Sequence, residues 1–292
     1  MNLEENLIIL QNELIYHTYK PSRYREFYIK EPKERLILAL PFRDRVVHQA
    51  ICFVITPIFE KSFIYDSYAC RKNKGTLAGV KRCTYFLNKE VNNNNNVFCL
   101  KMDISKYFYS ISHYKLKGLI RRKIRCRKTL ELLFDIIDST DDPGIPVGNL
   151  TSQLFANIFL NPLDHFVKEG LQIKHYVRYM DDMVILDNDK KKLWELFFEI
   201  KNFIEDVLML KLNKKTSIFP VKKGIDFLGF RQYPNIRILR KRVMTKNYKK
   251  FRKLKKLNNS VKIERSLASL DGLCKHCSSK KVIENINKIL EY

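Results

Sequence analysis

His175-Tyr176-Val177-Arg178-Tyr179-Met180-Asp181-Asp182-Met183-Val184-Ile185-Leu186 places two adjacent carboxylates between two hydrophobic runs. Short runs of this kind suit β-strands, and the acidic pair falls where a tight turn would join them. Aspartate is common in turns, so one Asp here would be unremarkable. Two, walled in by Val, Ile, Leu and Met, repel each other and lose hydration. A divalent cation is the usual compensation.

Upstream, Val97-Phe98-Cys99-Leu100-Lys101-Met102 reads as a buried strand with Asp103 at its C-terminal end. Alone, Asp103 would serve as a helix N-cap. With Asp181 and Asp182 it makes a set of three carboxylates able to hold two Mg²⁺ ions, with Mn²⁺ as a substitute. Such ion pairs sit about 4 Å apart and support in-line displacement at phosphorus.

The chain has 292 residues and a hydrophobic fraction of 45%, enough for one large or two modest domains with a real core. No apolar run is long enough to span a bilayer, and Met1-Asn2-Leu3-Glu4-Glu5 lacks a signal region, which predicts no membrane partner and a cytoplasmic location. The formal net charge of +24 exceeds what solubility needs and points to nucleic acid. Seven cysteines, mostly in apolar or helical contexts, fit buried thiols in a reducing compartment. Cys274-Lys275-His276-Cys277 has zinc-like local spacing but no second pair nearby. His48 and His165 read as helix-face residues.

The spacing predicts a helix to about residue 20, ended by Pro21, then a basic, partly extended stretch over 24–41. An apolar helix should follow Arg43-Asp44-Arg45 to about Phe59, and a helix to about Phe86 should follow a loop at 68–75. The Asn92–Asn96 run reads as a surface loop. Helical patterns cover 113–138, a stretch from Gly148 to about Lys168, and 190–209. A second hairpin is expected from about Ile218 through Phe227-Leu228-Gly229-Phe230. Beyond residue 235, Lys and Arg crowd residues 237–256 with Tyr248 and Phe251 interleaved. That texture suits a basic helical module touching phosphates.

In this order the motifs resemble those of a reverse transcriptase of the group II intron and retron-like kind, over about residues 30–235. Tyr179-Met180-Asp181-Asp182 matches the YxDD box and Asp103 the first palm aspartate. Arg35-Leu36-Ile37, Pro41 and Asp44-Arg45-Val46-Val47 are similar to the fingers segment, and Phe227-Leu228-Gly229-Phe230 to the primer grip. The resemblance implies an α+β right-hand polymerase with three parts: fingers with part of the palm (1–95), palm (96–235) and a basic helical thumb (236–292).

It also implies roles. Asp103, Asp181 and Asp182, with the Ile104 carbonyl, would hold the metals, and Lys215 would donate a proton to pyrophosphate. Lys33 and Arg35 would grip the dNTP triphosphate, and Val147, Gly148 and Gln153 would line the nucleotide. Phe108 would exclude a 2′-hydroxyl, with Tyr107 or Phe108 serving instead as a core aromatic. Arg71, Phe227, Leu228, Gly229, Arg240, Arg242, Lys249, Lys250 and Lys253 would meet primer and template RNA.

Val147-Gly148-Asn149-Leu150-Thr151-Ser152-Gln153 departs from the common Gln-Gly-x-x-x-Ser-Pro form. With Tyr68-Ala69-Cys70-Arg71, it looks most like the enzymes of diversity-generating retroelements, bacterial or phage-encoded. Those enzymes miscopy template adenines and work with a small basic helical oligomeric accessory protein. A retron or phage-defence enzyme is the alternative, against which Val243-Met244-Thr245-Lys246 counts. An intron maturase has little chain left for its further domain. A non-catalytic RNA-binding scaffold is the reading from another class.

Overall fold

A computed structural model describes residues 2–30, 34–94 and 96–291. The hairpin around Asp181 is formed by β4 (Tyr176–Tyr179) and β5 (Asp182–Asp187), at one side of a four-stranded antiparallel sheet. β3 (Phe98–Asp103) and β6 (Ser217–Pro220) complete it in the order β4-β5-β3-β6. Alternate residues of β3 and β5 enter different cores. Leu100, Met102, Met183 and Ile185 join one; Cys99, Val184 and Leu186 join the other. A sheet buried on both faces needs apolar side chains at every position, which is why these strands read as unbroken hydrophobic runs.

The first core is closed by helices, among them α2 (Phe42–Glu60), α4 (His113–Arg121), α5 (Arg127–Ile137), α6 (Leu150–His165) and α7 (Lys190–Asn202). α6 is buried on nearly every side, including Thr151, Ser152, Asn157 and Asp164. Such a helix lies inside the molecule rather than on its surface. The second core is closed by α3 (Thr76–Asn93), a three-stranded sheet and the C-terminal helices. That sheet comprises β7 (Ile225–Phe227), β8 (Phe230–Tyr233) and β9 (Ile236–Leu239), followed by α8 (Lys241–Lys256), α9 (Ser260–Cys274) and α10 (Lys280–Glu291).

N-terminal to these, α1 (Leu3–Ile15) precedes an antiparallel hairpin of β1 (Arg25–Ile29) and β2 (Arg35–Ala39). Three expectations are corrected. The strand near Ile218 does not hairpin with Phe227; it pairs with β3 in the first sheet, because its apolar residues extend that sheet's edge. The asparagine run is partly helical, since α3 continues to Asn93 and Asn94 bonds back to Glu90. The 113–138 pattern is two helices, not one. Among the described residues, no helix is long and apolar enough to cross a membrane.

Candidate active site

Strand register sets Asp103, at the end of β3, opposite Asp182, the first residue of β5. Asp182 also faces Tyr179 across the two-residue turn Met180–Asp181. Met180 has φ +55°, a left-handed conformation uncommon for a residue with a side chain. Asp181 thus projects from a tight turn beside the end of β3.

The three carboxylates differ in their company. Burial, and then the charge of Asp103, push the Asp181 carboxyl up to about 6. No ion pair answers Asp103 or Asp181 among the described residues. Burial raises Asp182 as well, but Lys101 opposes the shift. The Lys101 ammonium bonds directly to Asp182 Oδ1, with side chains 19% and 26% exposed. Lys101 lies 5.1 Å over the ring of Phe227. Among the described residues, no three His, Cys, Asp or Glu side chains converge into a finished metal cage. The donors nevertheless suit Mg²⁺, a hard cation that takes one or two carboxylates and completes its shell with water and substrate phosphate.

Asn213 steadies Asp103. Its Nδ2 donates to Asp103 Oδ2 at 3.0 Å, and its backbone N–H donates to the Asp103 carbonyl at 2.7 Å. Its Oδ1 accepts from the Lys215 N–H at 3.1 Å, forming the turn that carries Lys215, whose residue is exposed. Ile104 is buried and bridges to Leu212.

Tyr107 is the core aromatic: it is buried and its hydroxyl donates to the Ala156 carbonyl at 2.5 Å. Phe108 is half-buried, with its ring edge-on to Tyr107. The 147–153 segment adjoins the β1–β2 hairpin, since the Leu38 N–H donates to the Val147 carbonyl at 3.3 Å. Gly148 has φ +119°, and a Cβ there would press on Ile37 Cγ2 at 3.2 Å. Only glycine suits both demands. A cavity of about 860 Å³ opens at this junction, lined by Arg25, Ile37, Arg45 and Gly148 among others, although the carboxylates do not line it. Gln153 is half-buried on α6. Arg35 is exposed at the start of β2, and Lys33 lies outside the described residues.

Two expected nucleic-acid contacts are corrected. The Arg71 side chain is 5% exposed. It grips Glu60 in a fork and donates to the carbonyls of Ile64 at 2.6 Å and Ser67 at 2.7 Å. With its donors used inside the protein, it braces the 64–71 loop. Phe227 is fully buried in the second core, leaving the Leu228–Gly229 turn as the accessible part of its motif. That turn has φ of +52° and +88°, as a two-residue hairpin connection requires.

Arg240 pairs with Asp226, and its N–H donates to the Gly229 carbonyl at 3.0 Å. Arg242, Lys249, Lys250 and Lys253 are exposed along α8, while Phe251 and Leu254 face inward. Cys274 and Cys277 carry free thiols and, among the described residues, gather no further ligands. His48 is buried against Thr151 at 2.8 Å, and burial lowers it to about 4, so it stays neutral. His165 bonds to Glu169 and the Ser62 carbonyl.

Sequence reading passed over Lys101, Asn213 and Arg178. For Arg178, a cation inside an apolar strand was the available signal, since buried charges are almost always paired. Asn213 and Lys101 carried none, because their partners lie far along the chain.

A family model described as reverse transcriptase (RNA-dependent DNA polymerase) matches residues 26–232. Protein YkfC of Escherichia coli is 28% identical over 273 residues, covering 78% of this chain and 71% of that protein. The group II intron-encoded protein LtrA of Lactococcus lactis is 28% identical over 183 residues, covering 59% of this chain but only 29% of LtrA. Among solved structures, apo telomerase of Candida tropicalis, truncated from its C-terminal domain, aligns with a TM-score of 0.60 at 14% identity, over 80% of this chain and 60% of that one. Telomerase of Candida albicans, with a fragment of telomeric RNA, gives 0.58 at 12% identity over 92% and 56%. These likenesses agree on the right-hand polymerase fold.

Proposed function

Because this chain belongs to the reverse transcriptase family, we propose that it extends a primer with dNTPs on an RNA template, at the carboxylates Asp103, Asp181 and Asp182. The observation that carries this reading is the Asp103–Asp181 pair. Burial, and then the charge of Asp103, hold Asp181 near 6, and no protein cation relieves the pair among the described residues. Mg²⁺, or Mn²⁺ in its place, would supply the activation of the primer 3′-oxygen and the charge that steadies the pyrophosphate leaving group.

The chain's own residues do the rest. Asn213 holds one oxygen of Asp103, leaving the other for a ligand. Ile104 offers its carbonyl. Lys215, exposed in the turn that Asn213 shapes, would hand a proton to pyrophosphate. Phe108 would favour deoxynucleotides, and Arg35, with Lys33, would meet the triphosphate. Arg242, Lys249, Lys250 and Lys253 would hold the template–primer backbone with Leu228 and Gly229 beside it. Primer extension on an RNA template in Mg²⁺ tests the reading. Asp181→Asn should lower the rate at least 10³-fold, as expected when a charge in a two-metal site is lost; equal cDNA yield from both proteins would refute it.

The finer proposal is error-prone copying in a diversity-generating retroelement, with mutations directed at template adenines. It rests on Val147 and Gln153. An aliphatic side chain at Val147 makes no polar contact with the incoming nucleotide, and hydrogen-bonded recognition discriminates better than shape alone. Val147→Gln should reduce misincorporation opposite adenine several-fold when the cDNA is sequenced. An unchanged error spectrum would point to the second reading, intron-type copying, which the similarity to LtrA favours. The small basic helical accessory protein belongs to the first reading alone.

A further inference from the structure

Arg178 is fully buried, and every polar group of its fork is engaged. Nε donates to Asp164 Oδ1 at 2.7 Å and Nη2 to Asp164 Oδ2 at 2.5 Å. Nη2 also reaches Ser67 Oγ at 3.1 Å. Nη1 reaches Asn157 Oδ1 at 3.4 Å and, at 3.0 Å, the carbonyl of Met180. Asp164 is itself fully buried on α6 and accepts a further bond from the Tyr176 hydroxyl at 2.9 Å.

A buried ion pair is a weak source of stability, because removing two charges from water offsets most of their attraction. Well-packed apolar replacements of both partners often match it. What an apolar pair cannot supply is a directional donor. Here that donor meets the carbonyl immediately before Asp181, in the residue with φ +55°. The peptide group is planar, so holding the Met180 oxygen also fixes the Asp181 nitrogen and the direction in which its Cα leaves the turn. The backbone of Arg178 is anchored too: its N–H donates to the Asp66 carbonyl, and its carbonyl accepts from Tyr68 N–H, both at 3.0 Å. One end of this clamp is therefore tied to α6 and the 66–68 loop, and the other to the turn.

We infer that Arg178 is a positioning residue for Asp181: its bond to the Met180 carbonyl aims the Asp181 carboxylate at Asp103 for divalent-cation binding. The inference rests on Asp181 being a metal ligand, as the polymerase reading requires. Lysine at this position keeps the charge but not the fork, and methionine keeps neither.

The test titrates Mn²⁺ into the full chain, followed by electron paramagnetic resonance, with Asp181→Asn defining the signal of this site. Arg178→Lys and the paired Arg178→Met, Asp164→Leu should each weaken Mn²⁺ binding about tenfold. The paired variant should keep a melting temperature near wild type, which separates aiming from mere support of the fold. In primer extension, kcat should fall 10- to 100-fold with the dNTP KM changed less than twofold. Wild-type Mn²⁺ affinity in the folded paired variant, or in Arg178→Lys, would overturn the inference, as would a wild-type protein showing no Asp181-dependent binding. Asp181-dependent binding that Arg178 variants weaken, in a protein that extends no primer, would support the inference while overturning the polymerase reading.

Discussion

Two charged clusters share the β4–β5 hairpin, and they are built in opposite ways. At Arg178 a cation and an anion face each other out of water, with the donors of the guanidinium satisfied. Three residues on, Asp181 faces Asp103, like against like, and the structure leaves the conflict standing. Burial serves both, but toward different ends. The closed cluster strengthens hydrogen bonds and locks a backbone; the open one makes the Asp181 carboxylate costly to ionise, a cost that a cation would offset. A hairpin that is rigid at its root and electrostatically incomplete at its tip is suited to receive a metal without rearranging.

The largest effect follows from that incompleteness. The Asp181 carboxyl is raised from its ordinary value of 3.8 to about 6. A raised acid lowers stability when it is ionised in both states. The cost is absent below about pH 4, grows through the interval and is full above about pH 6. In metal-free protein, Asp181→Asn should therefore be stabilising at pH 8, on the order of 2 kcal/mol or a few degrees in Tm, and neutral near pH 4. Saturating Mg²⁺ should raise the wild-type Tm and leave the variant's unmoved. A variant that melts lower than wild type at pH 8 without metal would erase the contrast between the clusters, because the tip would then be satisfied already.

Asn213 offers a sharper cut. Its side chain bonds one carboxylate oxygen of Asp103 and the Lys215 N–H, while its backbone bond to the Asp103 carbonyl survives truncation. Asn213→Ala should therefore spare the fold and loosen the carboxylate. A hydrogen bond to a charged acceptor contributes about 1.5–3 kcal/mol. A 10- to 100-fold fall in kcat, with little change in dNTP KM, is the expected outcome of steady-state extension assays. A loss confined to KM would instead assign Asn213, through its bond to the Lys215 N–H, to holding the nucleotide.

Much of this was legible in the chain. The YxDD turn, the strand before Asp103, the helix after Gly148 and the basic helix near residue 250 each carry a local pattern of period, turn residue or charge density. What stayed hidden depends on pairing at a distance. Ile218 reads as half a hairpin because both hairpins and sheet edges use short apolar runs; only the register with β3 separates them. Arg71 reads as a phosphate ligand until Glu60 and two carbonyls are seen to use its fork. Phe227 reads as a surface grip, yet an aromatic in a three-residue strand was better placed in a core. Asn213 lies 110 positions from Asp103, and no spacing rule links them.

Lys101 tests the smallest difference, that between Asp182 and its two neighbours. Its ammonium already answers Asp182, so this carboxylate sits between the closed and open designs. Both side chains are partly exposed, and such a pair contributes about 1 kcal/mol or less. Removing the cation in Lys101→Met adds one uncompensated negative charge beside Asp103 and Asp181. The half-saturating Mg²⁺ concentration should fall about two- to fivefold, because the site attracts cations more strongly. The dNTP KM should rise by a similar factor, since the incoming triphosphate is an anion. If Mg²⁺ demand rises instead, Lys101 acts on Asp182 as Arg178 acts on Asp181, by aiming it. Asp182 would then be a carboxylate aimed at the metals by its partner, as Asp181 is, rather than one merely neutralised by it.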